Sequence, residues 1–214
     1  MNIIQDKSDL IKRSSKEYIE KKLSQNHNWK ILDIGCGYNA NKYANVICDV
    51  QELSAHYKNK KFIQLTEKKL PFLDKEFDFV ISSHVMEHVE DLKFFISELE
   101  RISSNGYIEL PTKLEDNLVF ENKNDHIWQM DFDDVGNKLI INKRIQYIEP
   151  VLTVSSIKKF DEFFRKSLIL ELEWKNNIEH EFVNLNENNY SKPSIISLVR
   201  KYFSKRVRTF LRKK

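Results

Sequence analysis

The sequence predicts an α/β fold: a mostly parallel sheet with helices on both faces, closed at one edge by an antiparallel hairpin. Three observations carry this. Short apolar runs alternate with amphipathic helical segments between Trp29 and Pro111, the pattern of strands joined by crossover helices. The first of those runs ends at Gly35 and Gly37, and open α/β sheets bind ligands at the carboxyl ends of their strands. Two β-rich runs, Leu168 to Trp174 and Ile178 to Leu185, are linked only by Lys175-Asn176-Asn177, a link short enough for a hairpin.

Taken in order, Ser8 to Ser24 sets Leu10, Ile11, Tyr18, Ile19 and Leu23 near helical spacing, which predicts an amphipathic helix. Strands are expected at Trp29 to Ile34, Val46 to Cys48, Lys61 to Gln64, Phe77 to Ser82, and Tyr107 to Leu110 before Pro111. Between the last two, Leu92, Phe95, Ile96, Leu99 and Ile102 form one helical face over Glu90 to Ile102. Beyond Pro111 the pattern turns polar. The stretch at about 112 to 150 reads as an insertion, with a hairpin at Asp134-Val135-Gly136-Asn137 in which Gly136 can take a positive φ. A helix is expected from Ser155 to Lys166. Residues 1–190 are read as one domain and 191–214 as a basic amphipathic helix.

Composition bounds the function. A chain of 214 residues with 41% apolar content and net charge +3 can bury one substantial core and is not disordered. Cys36 and Cys48 have neither disulfide-scaffold nor zinc-site spacing. Met1 to Leu10 carry Asp6 and Asp9 with no apolar h-region, and no apolar run approaches membrane-spanning length. A cytoplasmic protein is expected. Residues 194–214 hold eight Lys/Arg and no acid, so the rest of the chain is mildly acidic. This body argues against a broad nucleic-acid footprint.

Only four glycines occur, and two lie in Asp33-Ile34-Gly35-Cys36-Gly37. A bare GxG is a weak signal. Asp49 strengthens it, because an acid ending the second strand can accept hydrogen bonds from both ribose hydroxyls of a nucleoside. Three further strings follow in order: Leu70-Pro71-Phe72-Leu73-Asp74-Lys75-Glu76-Phe77-Asp78-Phe79-Val80, then Ser82-Ser83-His84-Val85-Met86-Glu87-His88-Val89, then Glu98-Leu99-Glu100-Arg101-Ile102.

Together these strings resemble the class I S-adenosylmethionine-dependent methyltransferases, in particular a subgroup with LPF, EHV and ER-hydrophobic segments; the resemblance covers Trp29 to Pro111. It implies a Rossmann-like class I methyltransferase fold with S-adenosylmethionine as cofactor. By that resemblance Asp33, Gly35, Cys36 and Gly37 lie against the methionine part, Asp49 binds the ribose, and Ser83 and His84 flank the sulfonium. Two features depart from the family: Asn39 replaces its third glycine, and the segment before Asp49 is too short for a full crossover helix. Thr66 stands where the subgroup often has an aspartate, so adenine recognition falls to Thr66, Glu67 or nearby backbone. A dinucleotide dehydrogenase is the rival, with Ala40 mimicking a third glycine, but it leaves the later strings unexplained.

Methyl transfer to a hydroxyl or amine needs a base where the acceptor must lose a proton. The candidates are His84, after the fourth strand of the motif region, and His126 in Asn124-Asp125-His126-Ile127-Trp128, within the insertion. His84, Glu87 and His88 would share a helical face, which suits a divalent-metal site; the competing reading is a capped helix start with internal hydrogen bonds, and no metal is assigned. Trp128 and Phe132 either wall a flat acceptor or anchor the insertion. The layout beyond Pro111 looks like that of methyltransferases of cell-surface polysaccharide synthesis, which implies O-methylation of a glycan or glycolipid intermediate. The alternatives are a small-molecule or quinone-type methyltransferase and a catalytically silent binding domain. The tail, with Ile195 to Leu211 apolar on one side and its cations around the other, suits an anionic membrane surface at the inner face, or else a partner subunit.

Overall fold

The computed structural model describes residues 10–184 and 194–212. Its main sheet has seven strands: β1 (Leu10–Arg13), β2 (Ile31–Ile34), β3 (Val46–Asp49), β4 (Lys61–Gln64), β5 (Phe79–Ser83), β6 (Asn105–Pro111) and β9 (Ile169–Lys175), in the spatial order β1-β9-β6-β5-β2-β3-β4. The five central and right-hand strands, β6 to β4, run parallel, and β9 is antiparallel to both its neighbours. The predicted α/β class, with its mostly parallel sheet and antiparallel edge, is what the chain adopts.

Strands β2, β3 and β5 are covered on both faces, which is why they read as continuous apolar runs. Their side chains alternate between two cores. Leu32, Ile34, Val46, Cys48 and Val80 pack against α2 (Leu92–Ile102) through Leu92, Phe95, Ile96, Leu99 and Ile102. Ile31, Ile47, Phe79, Ile81 and Tyr107 face α1 (Lys16–Gln25) through Ile19 and Leu23. Asp91 caps α2, its side chain accepting the Phe94 N–H.

The structure corrects the predicted N-terminal helix. Leu10–Arg13 is a strand on β9, with Ile11 opposite Trp174, and the helix begins only after Ser15, whose hydroxyl accepts the Tyr18 N–H. Only Ile11 of that strand points inward, so its neighbour Leu10 mimicked a helical pair. The hairpin prediction for the C-terminal runs is also corrected. β9 pairs β6 and β1, whereas β10 (His180–Phe182) leaves the main sheet and runs parallel to β8 (Lys138–Lys143). With β7 (Trp128–Asp133), antiparallel to β8, these make a separate three-stranded sheet within and beside the insertion.

In the β7–β8 turn Asn137, with φ of 51°, takes the left-handed position assigned to Gly136. Asparagine tolerates that region because its short side chain can bond locally. The insertion also holds α3 (Lys113–Leu118) and α4 (Asn122–Asp125). The helix expected at Ser155 to Lys166 is α5 (Val154–Ile157) and α6 (Asp161–Leu168), joined by a tighter turn. The last helix is α7 (Ile195–Leu211). The expected domain boundary at 190/191 lies outside the described residues, as do Lys213 and Lys214.

Candidate cofactor and acceptor site

Strand order reverses between β2 and β5, and the crevice at such a switch point is where open α/β sheets take ligands. β2 ends at Ile34 and the chain turns through Gly35 (φ 66°) and Gly37 (φ 49°). A Cβ on Gly35 would stand 2.3 Å from Val85 Cγ2, whereas nothing lies within 4 Å of one on Gly37. The first glycine therefore lets the loop pack on the segment after β5, and the second leaves open ground. Gly35 and Cys36 donate their N–H groups to Cys48 O at 2.8 and 3.2 Å. Asp49 holds the loop's far side: its Oδ2 accepts the Gly37 N–H and its Oδ1 the Gln51 N–H, both at 2.9 Å.

The loop stands between two cavities. A cleft of about 750 Å³ runs past Gly37, Asp49, Thr66, Glu67, His84 and His88. A smaller one of about 350 Å³ opens on Asp33, Cys36, Ser83 and Glu109. Gly35 borders both. Ser83 and His84, expected to act side by side, thus face different cavities.

In the smaller cavity Asp33 is buried and its Oδ2 accepts the Asn41 N–H at 2.7 Å. Burial pushes its pKa up to about 6, against the pull of that hydrogen bond. Burial likewise drives the Cys36 thiol up to about 12, so Cys36 lines the site as a thiol and not as a nucleophile. Glu109 on β6 was missed by sequence reasoning. It is buried and accepts from Ser83 Oγ at 2.5 Å, Tyr107 Oη at 3.0 Å and Arg165 Nη2 at 2.8 Å. Burial alone would raise its pKa, but Lys16, Ser83 and Arg165 outweigh burial and lower it. The Tyr107/Glu109 and Glu171/Glu173 alternations on paired strands were the available signal: every second residue on one face is polar, so that face has polar company.

His84 follows β5 in the left-handed region, φ 55°, and donates its N–H to Glu109 O at 2.9 Å. Its open side meets the larger cleft, and its Nδ1 lies 3.3 Å from Glu87 Oε1. Desolvation by the surrounding protein opposes the charged form. The Glu87 carboxylate, aided by Glu109 and Glu115, prevails and raises the imidazole pKa. His126 sits almost fully buried on the insertion, its Nδ1 2.6 Å from Asp116 Oδ1, which also pairs with Arg144. Ile127 donates its N–H to Glu87 O at 2.8 Å, so the fold brings both candidate bases to Glu87. Glu115 nearby is pushed by burial to about 7.

Two expectations resolve here. Met86–His88 is one short turn with no side-chain cap, which removes the capped helix start. Trp128 donates Nε1–H to Val89 O at 2.8 Å and Phe132 is buried in the core, so both anchor the insertion.

The LPF and ER strings prove to be one construction. Arg101 donates to Leu70 O, Phe72 O and Asp74, and pairs with Glu98, which accepts the Leu70 N–H. They brace the cleft wall at Leu70.

Residues 32–108 match a family model described as a methyltransferase domain. Among curated proteins, the uncharacterized protein MJ0638 of Methanocaldococcus jannaschii is 29% identical over 154 residues, 63% of this chain and 66% of that protein. The chain thus spans just under two thirds of that relative. Of solved structures, a SAM-dependent methyltransferase from Aquifex aeolicus is similar at 13% identity and TM-score 0.41, over 74% of this chain and 87% of that one. The YcgJ protein from Bacillus subtilis is similar at 19% identity and TM-score 0.36, over 44% of this chain and 51% of that one. A strand-end loop with open ground over Gly37, a buried acid at the next strand end and a deep cleft beside both fit a nucleoside-bearing cofactor. Residues 32–108 thus match a methyltransferase domain and lie on a Rossmann-like sheet, with S-adenosylmethionine as the cofactor.

Proposed function

We propose that the intact protein is an O-methyltransferase acting on a glycan or glycolipid intermediate of cell-surface polysaccharide synthesis, and that it belongs to the LPF/EHV subgroup. The observation that carries the reading is a histidine held at the cofactor cleft by a left-handed backbone, with a buried carboxylate beside it. S-adenosylmethionine supplies a methyl group made electrophilic by its sulfonium. Asp49 seats the ribose, Thr66 and Glu67 border the adenine, and Asp33, Gly35, Cys36 and Gly37 line the methionine side with Ser83. His84 or His126 takes the proton of the acceptor hydroxyl; the raised pKa of His84 makes its neutral ring the stronger proton acceptor. A polyhydroxyl acceptor suits the polar side chains of His84, His88, Glu90 and Asp91 along the cleft. Incubation with labelled cofactor and cell-envelope saccharides, read by mass spectrometry, tests this: methylated glycan supports it, and transfer only to apolar quinone-type acceptors defeats it.

The membrane reading of the tail rests on α7. Among the described residues no helix is long and apolar enough to cross a membrane. Ile196, Leu198, Val199, Tyr202, Phe203, Val207, Phe210 and Leu211 are all exposed on α7, with Arg200, Lys201, Lys205, Arg208 and Arg212 on its other side. Arg206 departs from the expected segregation and folds onto Tyr202, its Nε donating to Tyr202 Oη at 3.0 Å. Anionic lipid complements both the charge and the apolar stripe. The protein would then be cytoplasmic and peripheral at the inner membrane face.

A further inference from the structure

Beside the larger cleft lies a carboxylate whose contact with His84 leaves its hydrogen-bonding capacity unmet. Glu87 is completely buried, and neither of its carboxylate oxygens has a hydrogen-bond partner. Buried carboxylates carry a heavy desolvation cost and are normally paired, hydrogen-bonded or bound to a metal. His84 Nδ1, at 3.3 Å from Oε1, supplies an ionic contact without hydrogen-bond geometry. Two more imidazoles approach the same carboxylate. One oxygen of Glu87 and one ring nitrogen each of His88 and His126 all lie within 4.8 Å of one another.

Each of the two rings keeps one nitrogen free for a ligand. His126 Nδ1 is 2.6 Å from Asp116 Oδ1, and His88 Nδ1 is 3.0 Å from Asp125 O. A carboxylate and a carbonyl only accept, so in the neutral rings each Nδ1 carries the proton and each Nε2 keeps its lone pair. A carboxylate or carbonyl that fixes the far nitrogen of a histidine is the usual outer partner of a ligating imidazole. Asp116 is itself held by Arg144 at 2.9 Å and Gln129 at 2.8 Å.

The ligand-bearing segments are also locked together. Ile127 N–H donates to Glu87 O and Trp128 Nε1–H to Val89 O, each at 2.8 Å. The spacing therefore reflects the fold and not loose surface side chains. Ligands at about 2.1 Å from one ion stand at most about 4.2 Å apart, so the three atoms need to close in by a small rotamer adjustment.

We propose that Glu87, His88 and His126 form a binding site for one divalent transition-metal ion of the zinc class, which engages His126 and leaves His84 as the base. Two imidazoles and a carboxylate suit zinc, cobalt or ferrous iron and disfavour magnesium and calcium, which take oxygen ligands. Three protein ligands leave a coordination position open. Because His88 borders the cofactor cleft, the site adjoins that cleft, and an ion held there would lower the pKa of an oxygen bound to it.

The test uses the full chain, stripped with a chelator and titrated with Co²⁺ as a spectroscopic probe and with Mg²⁺ in parallel. The expected result is one Co²⁺ per chain, a visible absorption band of low-symmetry coordination, and a melting temperature raised by the ion. Glu87→Gln and His126→Ala should each weaken Co²⁺ binding by 10-fold or more, and Asp116→Asn by about 10-fold through the His126 ring. His27→Ala, at an exposed histidine remote in sequence from these ligands, should bind as the parent does. Glu87→Gln preserves shape and so remains informative if His126→Ala does not fold. Equal Co²⁺ affinity in the parent and Glu87→Gln, no stoichiometric Co²⁺ binding by the parent, or tighter binding of Mg²⁺ than of Co²⁺ would each overturn the proposal.

Discussion

The Asp49 carboxylate accepts the Gly37 N–H at 2.9 Å, tying the end of β3 to the loop that follows β2. One side chain thus shapes the glycine loop and presents negative charge to the cleft. The two roles separate by substitution. Asp49→Ala removes the acceptors of both the Gly37 and the Gln51 N–H and should lower thermal stability together with affinity. Asp49→Asn keeps one acceptor and should cost less stability. Both should weaken S-adenosylhomocysteine binding by about 1.5 to 3 kcal/mol, the range for hydrogen bonds to a charged group. Calorimetry showing unchanged affinity in the Asn variant would take Asp49 off the ribose.

The two loop glycines should fail differently when given a methyl group. Gly35→Ala drives Cβ onto Val85 Cγ2 at a positive φ, so it should melt well below the parent. Gly37→Ala meets no neighbour and bears only the left-handed strain of about 1 to 2 kcal/mol. It should fold, yet lose cofactor affinity, because the methyl stands on the open ground the ligand needs. Parent-like affinity in Gly37→Ala would mean that the ligand does not pass over that residue.

Asp33 predicts a pH signature. Its folded pKa, about 6, is raised by burial above the ordinary value near 3.9. The fold therefore favours the protonated form, and this contribution is complete below pH ~4 and is lost as pH rises through about 6. Two pKa units correspond to on the order of 3 kcal/mol. Asp33→Asn should flatten the stability profile in that window and gain stability at pH 7, while cofactor binding falls because the methionine side loses its carboxylate. Urea titrations at pH 4.5 and 7 decide it: an unchanged difference between the two pH values in the variant would exonerate Asp33.

Arg101 should matter more for stability than for chemistry. It compensates Glu98, which is 4% exposed, and holds the Leu70 and Phe72 carbonyls. Arg101→Ala leaves a buried carboxylate unpaired, a defect of about 3 to 5 kcal/mol. The expected result is a much lower melting temperature with cofactor binding recovered on cooling. A parent-like melt would show that the LPF wall stands without it.

What the sequence revealed follows from how local each signal is. β2, β3 and β5 were legible because strands covered on both faces are uniformly apolar, and α2 because five core residues share one stripe. β1 was not. Its partner lies on β9, with Ile11 opposite Trp174, and one inward residue in four carries no period. The parallel placement of β10 on β8 is likewise set by distant packing, since a three-residue link between β-rich runs normally signals a hairpin. At the site, Gly35, Gly37 and Asp49 could be read from strand-end position alone. The approach of His126 to Glu87 could not, because it depends on the Ile127 N–H reaching Glu87 O across the insertion.

The tail offers the sharpest test of location. α7 is bounded by Ser194, whose side chain accepts the Ser197 N–H, and every one of its residues but Ile195 is exposed. An apolar stripe left in water costs about 25 cal/mol per Å², while each Lys or Arg near an anionic surface contributes on the order of 1 kcal/mol. Neither component alone holds a protein to a bilayer firmly, so binding should need both. Full-length protein should cosediment with vesicles containing phosphatidylserine, release as salt rises past the screening range, and ignore neutral vesicles. Replacing Phe203 and Phe210 with Ser should abolish sedimentation even though every cation remains, and deletion of 194–214 should do the same without altering S-adenosylhomocysteine affinity. If the full-length protein leaves anionic vesicles untouched at low salt and instead elutes as a dimer that the deletion dissociates, the stripe is a subunit contact and the membrane reading fails.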